Sequence, residues 1–290
     1  MLKSRKYREL FIADSHNDFL TNLADRAQFF DYCVELYSSG VRLVSSAIFT
    51  TGKGLSYVDF IGIHDIMQEM NSREQVRFLL SFEDIGFIKN LTDLENIITL
   101  HPVSCTLTWN EQNILAGGAL SNGNITRFGE KVIQRLERAN IFIDTAHLNR
   151  KSFWQFVRLT NKPIYNSHAN VDALHRHRRN LTDRQIGKIV ESNGYIGITI
   201  YDEFVAGDRV DSRKIAEQFD YLIRKFGYRH FGFGTDFYGI DREHCPIDIH
   251  SYRDLYKVAE RLKALGHSEQ VIRAIFFDNF HDFLIRNGIL

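Results

Sequence analysis

Cysteine is scarce. Cys33, Cys105 and Cys245 are the only three in 290 residues, widely spaced and without a Cys-x-x-Cys pair. An odd, scattered set excludes a disulfide framework and a thiolate zinc site, and it fits a reducing compartment. Proline is as rare, with three in the chain, and no Pro/Gly/Ser linker, low-complexity tract or internal repeat occurs. One domain spanning residues 1–290 is therefore expected. No run approaches the length of a membrane span, and the basic stretch from Met1 to Glu9 leads into no apolar segment, so no spanning helix or secretion signal is expected. A charge excess is missing too: Lys plus Arg equals Asp plus Glu at 36 each, which leaves no overall field to draw nucleic acid or an anionic membrane. Together these absences point to a cytoplasmic protein with a compact, neutral small-molecule partner.

What is present is an ordinary globular balance, 44% hydrophobic and 25% charged, large enough for a sizeable core. Apolar runs recur with helical segments between them. Eight read as strands: Leu10 to Asp14, Val41 to Phe49, Val76 to Phe82, Pro102 to Thr108, Ile141 to Thr145, Pro163 to Asn166, Tyr195 to Ile200, and Phe231 to Gly234. Most are continuous and rich in Val, Ile and Phe, as strands buried on both faces of a parallel sheet must be. The helices carry their own signals. Thr182-x-x-Gln185 has capping-box form ahead of Ile186, Ile189 and Val190. Ile215, Phe219, Leu222, Ile223 and Phe226 form a stripe closed by Gly227, and Ser268 opens a last helix before Val271, Ile272, Ile275 and Phe276. Eight β/α units in a chain of this length specify an α/β fold, a single (β/α)8 TIM barrel with its active site at the C-terminal ends of the strands.

The polar residues fall where such a barrel would use them. In Phe11-Ile12-Ala13-Asp14-Ser15-His16-Asn17-Asp18, alternation of side chains turns His16 and Asp18 to one side, and Asp14 shares their parity. Further strands end in Glu83, His147, His168 and Asp236. Each histidine taken singly reads as a satisfied core residue sooner than as a ligand; their shared placement reverses this and favours a metal centre. Imidazole and carboxylate suit zinc, and six such groups exceed what one tetrahedral ion can use, so two ions are expected.

Asp14-Ser15-His16-Asn17-Asp18, Glu83, Asp144-Thr145-Ala146-His147, Asn166-Ser167-His168, Arg178-Arg179-Asn180 and Gly234-Thr235-Asp236-Phe237 resemble the successive signatures of the membrane (renal) dipeptidase family of zinc metallopeptidases. Their order covers nearly the whole chain. The resemblance implies that His16 and Asp18 bind one zinc, that His147 and His168 bind the other, and that Glu83 bridges them. It implies a dipeptide substrate whose free carboxylate pairs with Arg179, Asp236 as the acid/base group, hydrolysis by a metal-bridging hydroxide, and a homodimer.

Two departures from the family pattern stand out. Members commonly read Leu-Thr-His after strand 4, with the histidine on the scissile carbonyl, where this chain has Leu107-Thr108-Trp109-Asn110. Trp109 and Asn110 are then the substrate-facing residues, with Asn110 or the zinc ions left to stabilise an oxyanion. The glycine that commonly follows the bridging glutamate is Asp84 here, which questions the local turn. The chain also ends Ile285-Arg-Asn-Gly-Ile-Leu without a long apolar tail, so the word membrane is not expected to transfer.

Other features read more plainly. His175-Arg176-His177-Arg178-Arg179 is a solvated or phosphate-binding loop apart from Arg179. Gly232-x-Gly234 lacks the third glycine of a dinucleotide fingerprint, and Tyr201 to Asp211 is a polar connection that lines the pocket or merely joins elements. His64, His101, His230, His244, His250, His267 and His281 share no placement and receive no role. Two alternatives stay open: another metal-dependent amide or lactam hydrolase on the same barrel, and a metal-binding protein that has lost catalysis.

Overall fold

The alternation of strands and helices closes on itself. In the computed structural model, which describes residues 10–22, 26–72 and 75–290, eight parallel strands pair in chain order and the last returns to the first. They are β1 (Ile12–Asn17), β2 (Val41–Phe49), β3 (Arg77–Glu83), β4 (Ser104–Thr106), β5 (Phe142–Asp144), β6 (Tyr165–Ala169), β7 (Tyr195–Ile198) and β8 (Phe231–Phe233). All eight expected strands are present, and the barrel is the expected one. No helix among the described residues is long and apolar enough to cross a membrane. The basic stretch Met1 to Glu9 lies outside the described residues.

Strand ends differ from expectation where polar side chains find partners inside the barrel. β1 runs on through Ser15, His16 and Asn17, all buried, because Ser15 Oγ, His16 Nδ1 and Asn17 Nδ2 find hydrogen-bond partners inside the barrel rather than solvent. β6 begins at Tyr165 rather than Pro163, which has no N–H to give the ladder, and runs on through His168. The register of β1 on β2 shifts between Asp14 and Asn17, which breaks strict alternation. Asp14 therefore does not join His16: its carboxylate accepts from Thr235 and Tyr252.

The helix signals are realised as read. Thr182 and Gln185 form a reciprocal capping box, Gly227 ends Ser212–Phe226 at φ 79°, and Ser268 caps the helix starting at Glu269. The last helix, Asn279–Arg286, presents Phe280, Phe283 and Leu284 to the interior. There they pack with Ala13, Leu43, Leu79, Val103, Phe142, Tyr165 and Tyr195, closing the end of the barrel opposite the site.

Above that plug the strands approach too closely for side chains. Ser15 Oγ donates to the carbonyls of Ser167 (2.7 Å) and Phe233 (2.8 Å), and Tyr165 Oη donates to Ser15 O at 2.9 Å. A Cβ at Gly197 or Gly234 would lie 1.9 or 1.8 Å from Ser167 O, so both positions need glycine. These contacts tie β1 to β6, the two strands that carry His16 and His168. Gly234→Ala should therefore lower stability by at least about 2 kcal/mol through overpacking. Gly62→Ala, in helix Tyr57–Asn71 with open space around it, should leave stability unchanged or raise it by about 0.5–1 kcal/mol. Urea denaturation midpoints check both.

Candidate metal centre and substrate cleft

Glu83 ends β3, His168 sits near the end of β6, and His147 follows β5 in a turn where it takes φ 67°, a conformation that non-glycine residues adopt at a cost. The three meet. His147 Nε2 lies 2.7 Å from Glu83 Oε1 and 2.9 Å from His168 Nε2, and His168 Nε2 lies 3.6 Å from the same carboxylate oxygen. On the β1 side, His16 Nε2 is 3.5 Å from Asp18 Oδ2 and 3.6 Å from Asp236 Oδ1, and the His16 and His168 rings lie 3.9 Å apart. All six expected rim residues thus converge, and ligand-competent atoms fall into the groups Glu83–His147–His168 and His16–Asp18–Asp236, each within 4.8 Å. His16 and His168 form a third such group with Asp144.

Outer partners engage the Nδ1 atoms of both imidazoles. Asn110 Oδ1 lies 2.9 Å from His147 Nδ1, and Ser167 Oγ lies 2.8 Å from His168 Nδ1, which leaves both Nε2 atoms facing the centre. Two carboxylates brace the turns. Asp144 accepts from the backbone of Ala146 and Ser167, one residue before each of these ligands. Asp14 accepts from the N–H of His16 and from both donors of Thr235, next to Asp236. The Asp236 N–H in turn donates to His16 O at 3.0 Å. Asp236 takes φ 66°, and a Cβ at Gly239 would strike Asp18 Oδ2 at 2.1 Å.

The electrostatics call for a cation. Burial alone would depress the His16 imidazole, yet Asp18, Glu83 and Asp236 outweigh it and raise its pKa to about 10. Burial, and after it Asp18, push Glu83 well above the usual carboxylate range, and burial lifts Asp236 to about 7. His147 and His168 are held well below the ordinary value by burial and nearby positive charge, so they stay neutral, the state a ligand needs. His16 Nε2 is buried with no hydrogen-bond partner. Neutral imidazoles, clustered carboxylates and one orphaned ring nitrogen fit a divalent metal centre.

A cleft of about 780 Å³ opens over this cluster. Trp109 and Asn110 line it, as does Arg179, and Asn110 also holds His147. Trp109 is half-exposed, edge-on to Phe49 at 5.4 Å. Arg179 is buried, with Nε and one terminal nitrogen unpartnered and its guanidinium 5.3 Å from the Phe204 ring. Burial lowers its pKa to about 10, against Glu83, Asp236 and Asp144, so it remains charged at neutral pH. Asp84 takes φ 63°, the conformation a glycine would favour, and its carboxylate accepts from Gly86 N and Asn113 Nδ2, which keeps the turn intact. Tyr201, Glu203 and Phe204, in and beside the short helix Asp202–Val205, line the cleft, so the connection after β7 belongs to the site. Phe49, Tyr238 and His244 line it too without having been singled out. Phe49 ends β2, a position the strand-end rule could have flagged; His244 comes from a loop with no local signal.

Fold and donor set together define a (β/α)8 barrel with a candidate metal centre at the C-terminal ends of its strands. The chain belongs to the membrane dipeptidase family, peptidase family M19, whose profile matches residues 53–283. That match begins after β1, so His16 and Asp18 stand on geometry alone. A Klebsiella pneumoniae protein from the pqqA 5′ region is 30% identical over 161 residues, covering 54% of this chain and 58% of that protein. The chain spans about half the length, or less, of the curated relatives it matches. The crystal structure of dipeptidase AC, a metallopeptidase of family M19, superposes with a TM-score of 0.85 at 21% identity, covering 97% of this chain and 100% of the other. A Rhodobacter sphaeroides metallopeptidase bound to a phosphinate mimic of the dipeptide L-Ala-D-Ala superposes at 0.83 with 20% identity, covering 96% and 99%.

Asn110 provides a test of how the site is held. If its amide orients His147, Asn110→Ala should weaken divalent metal affinity about 10–100-fold in chelator competition. Unchanged metal affinity with an altered KM would instead make Asn110 a substrate contact.

Proposed function

We propose that the chain hydrolyses dipeptides at a centre of two zinc ions, one held by His16 and Asp18, the other by His147 and His168, with Glu83 shared. The observation that carries the dipeptide reading is Arg179, a buried guanidinium with unpartnered donors in the same cleft as the ligand cluster. A buried cation with free N–H groups favours an anionic group on the bound molecule, and a planar fork suits a carboxylate. When bound, the ions would lower the pKa of a water and polarise the scissile carbonyl.

The protein's own groups do the rest. Arg179 takes the free carboxylate and so fixes the peptide bond over the ligand cluster. Asp236, facing His16 across 3.6 Å, takes the proton lost by the attacking water. As the carbon–nitrogen bond breaks, Asp236 passes that proton to the departing amine, giving two amino acids. Trp109 and Phe49 line the cleft edge-on to each other, and Asn110 keeps His147 oriented. The family and the dipeptide mimic bound by the Rhodobacter protein support this reading.

Arg179→Met should weaken capture of free dipeptides by about 2–4 kcal/mol in kcat/KM, the loss expected when one member of a hydrogen-bonded charge pair is removed. Dipeptides amidated at the C-terminus should be poor substrates already and change much less. Equal cleavage of amidated and free dipeptides by the unaltered protein would end the dipeptidase reading. Asp236→Asn should keep both metals and lose about 10²–10⁴ in rate, checked by metal analysis alongside turnover.

A further inference from the structure

A second cleft, of about 800 Å³, lies beside the first and is lined by Arg150, Lys151, Arg176, His177 and Arg178. His177 lines both clefts, and Leu120 in one adjoins Ala119 and Ser121 in the other. The four cations come from two separate elements. Arg150 and Lys151 open the helix Arg150–Leu159, whose first turn has no acidic residue, so they sit at its positive end, where cations are disfavoured. Arg176 and Arg178 belong to the loop before Thr182.

That loop is ordered by its own bonds. His175 N donates to Val171 O, Asn180 Nδ2 donates to the carbonyls of His175 and Phe204, and the His177 ring stacks on Phe204 at 4.7 Å. Among the described residues, the ion pair made by these cations is that of Arg150 with Asp172, at 2.8 Å. Among the described residues, Lys151, Arg176 and Arg178 ion-pair with no carboxylate, although all three are exposed. A chain with no net charge thus gathers uncompensated cations around one concavity, on a rigid loop and a helix terminus. Such an arrangement is repulsive when empty and favourable once an anion enters.

We propose that this cleft binds a phosphate dianion, free or as the monoester of a small molecule, at a site separate from the ligand cluster. The arginine forks match phosphate oxygens bidentately, and several converging cations favour a doubly charged group over a single carboxylate. The proposal is independent of the reaction catalysed next door, since none of Lys151, Arg176 and Arg178 lines the catalytic cleft.

Isothermal titration of the metal-loaded full chain with glucose 6-phosphate tests it, beside inorganic phosphate, glucuronate and glucose. Glucose 6-phosphate should bind, weaken as salt is raised, and lose at least about tenfold in affinity in the Arg176→Gln, Arg178→Gln double variant. Lys151→Glu, on the other element, should do the same, with dipeptide turnover and melting temperature of the free protein unchanged in both variants. Equal binding by inorganic phosphate would identify the free ion as the occupant, and tighter binding by the ester would identify a phosphomonoester. Absent binding, equal binding of glucuronate, or affinity that survives these variants and vanishes in Arg179→Met would each overturn the proposal.

Discussion

Three carboxylates, Asp18, Glu83 and Asp236, converge with three imidazoles at one end of a barrel, all of them buried except the partly exposed Asp236. Negative groups crowded in a medium of low polarity repel one another, and each can relieve the strain by taking a proton or by sharing a cation. The directions of the shifts follow: Glu83 and Asp236 rise with burial, and His16 is driven towards its charged form. His147 and His168 move the other way, held down first by burial and then by the positive charge of Arg179 and His16. Divalent metal would replace the displaced protons, and the neutral imidazoles would then serve as ligands without a change of state.

Holding that cluster together falls to groups that never reach the centre. Asp14 joins β1 to the loop after β8, and Asp144 joins the turn after β5 to β6, each through backbone N–H bonds within two residues of a ligand position. Ser15 fills the axis between β6 and β8. The aromatic plug beneath, from Phe142 to Phe283, supplies the apolar packing under this polar layer. The plug carries apolar burial at that end of the barrel, and the polar layer positions the ligands.

Much of this was legible in the chain. Continuous apolar runs at regular spacing gave all eight strands, because strands covered on both faces have no polar face to blur the pattern. The rim residues were legible for the same reason: a polar cluster at the end of a buried run stands out. What escaped was set by contacts distant in sequence. Strand alternation could not foresee the register shift that turns Asp14 towards Tyr252, 238 residues away. The contact between Asn110 and His147, 37 residues on, has no local signal in the chain. His244 reaches the cleft from a loop with no periodicity of its own, held by Asp202 at 3.0 Å.

The central claim is that this charge imbalance is met by metal. Anomalous diffraction on crystals of the protein, collected above and below the zinc absorption edge, tests it most directly. The account predicts about two zinc peaks per chain, each beside one of the two donor groups and both in contact with Glu83. No peak at the cluster, or a single one with Glu83 turned away and protonated, would contradict it.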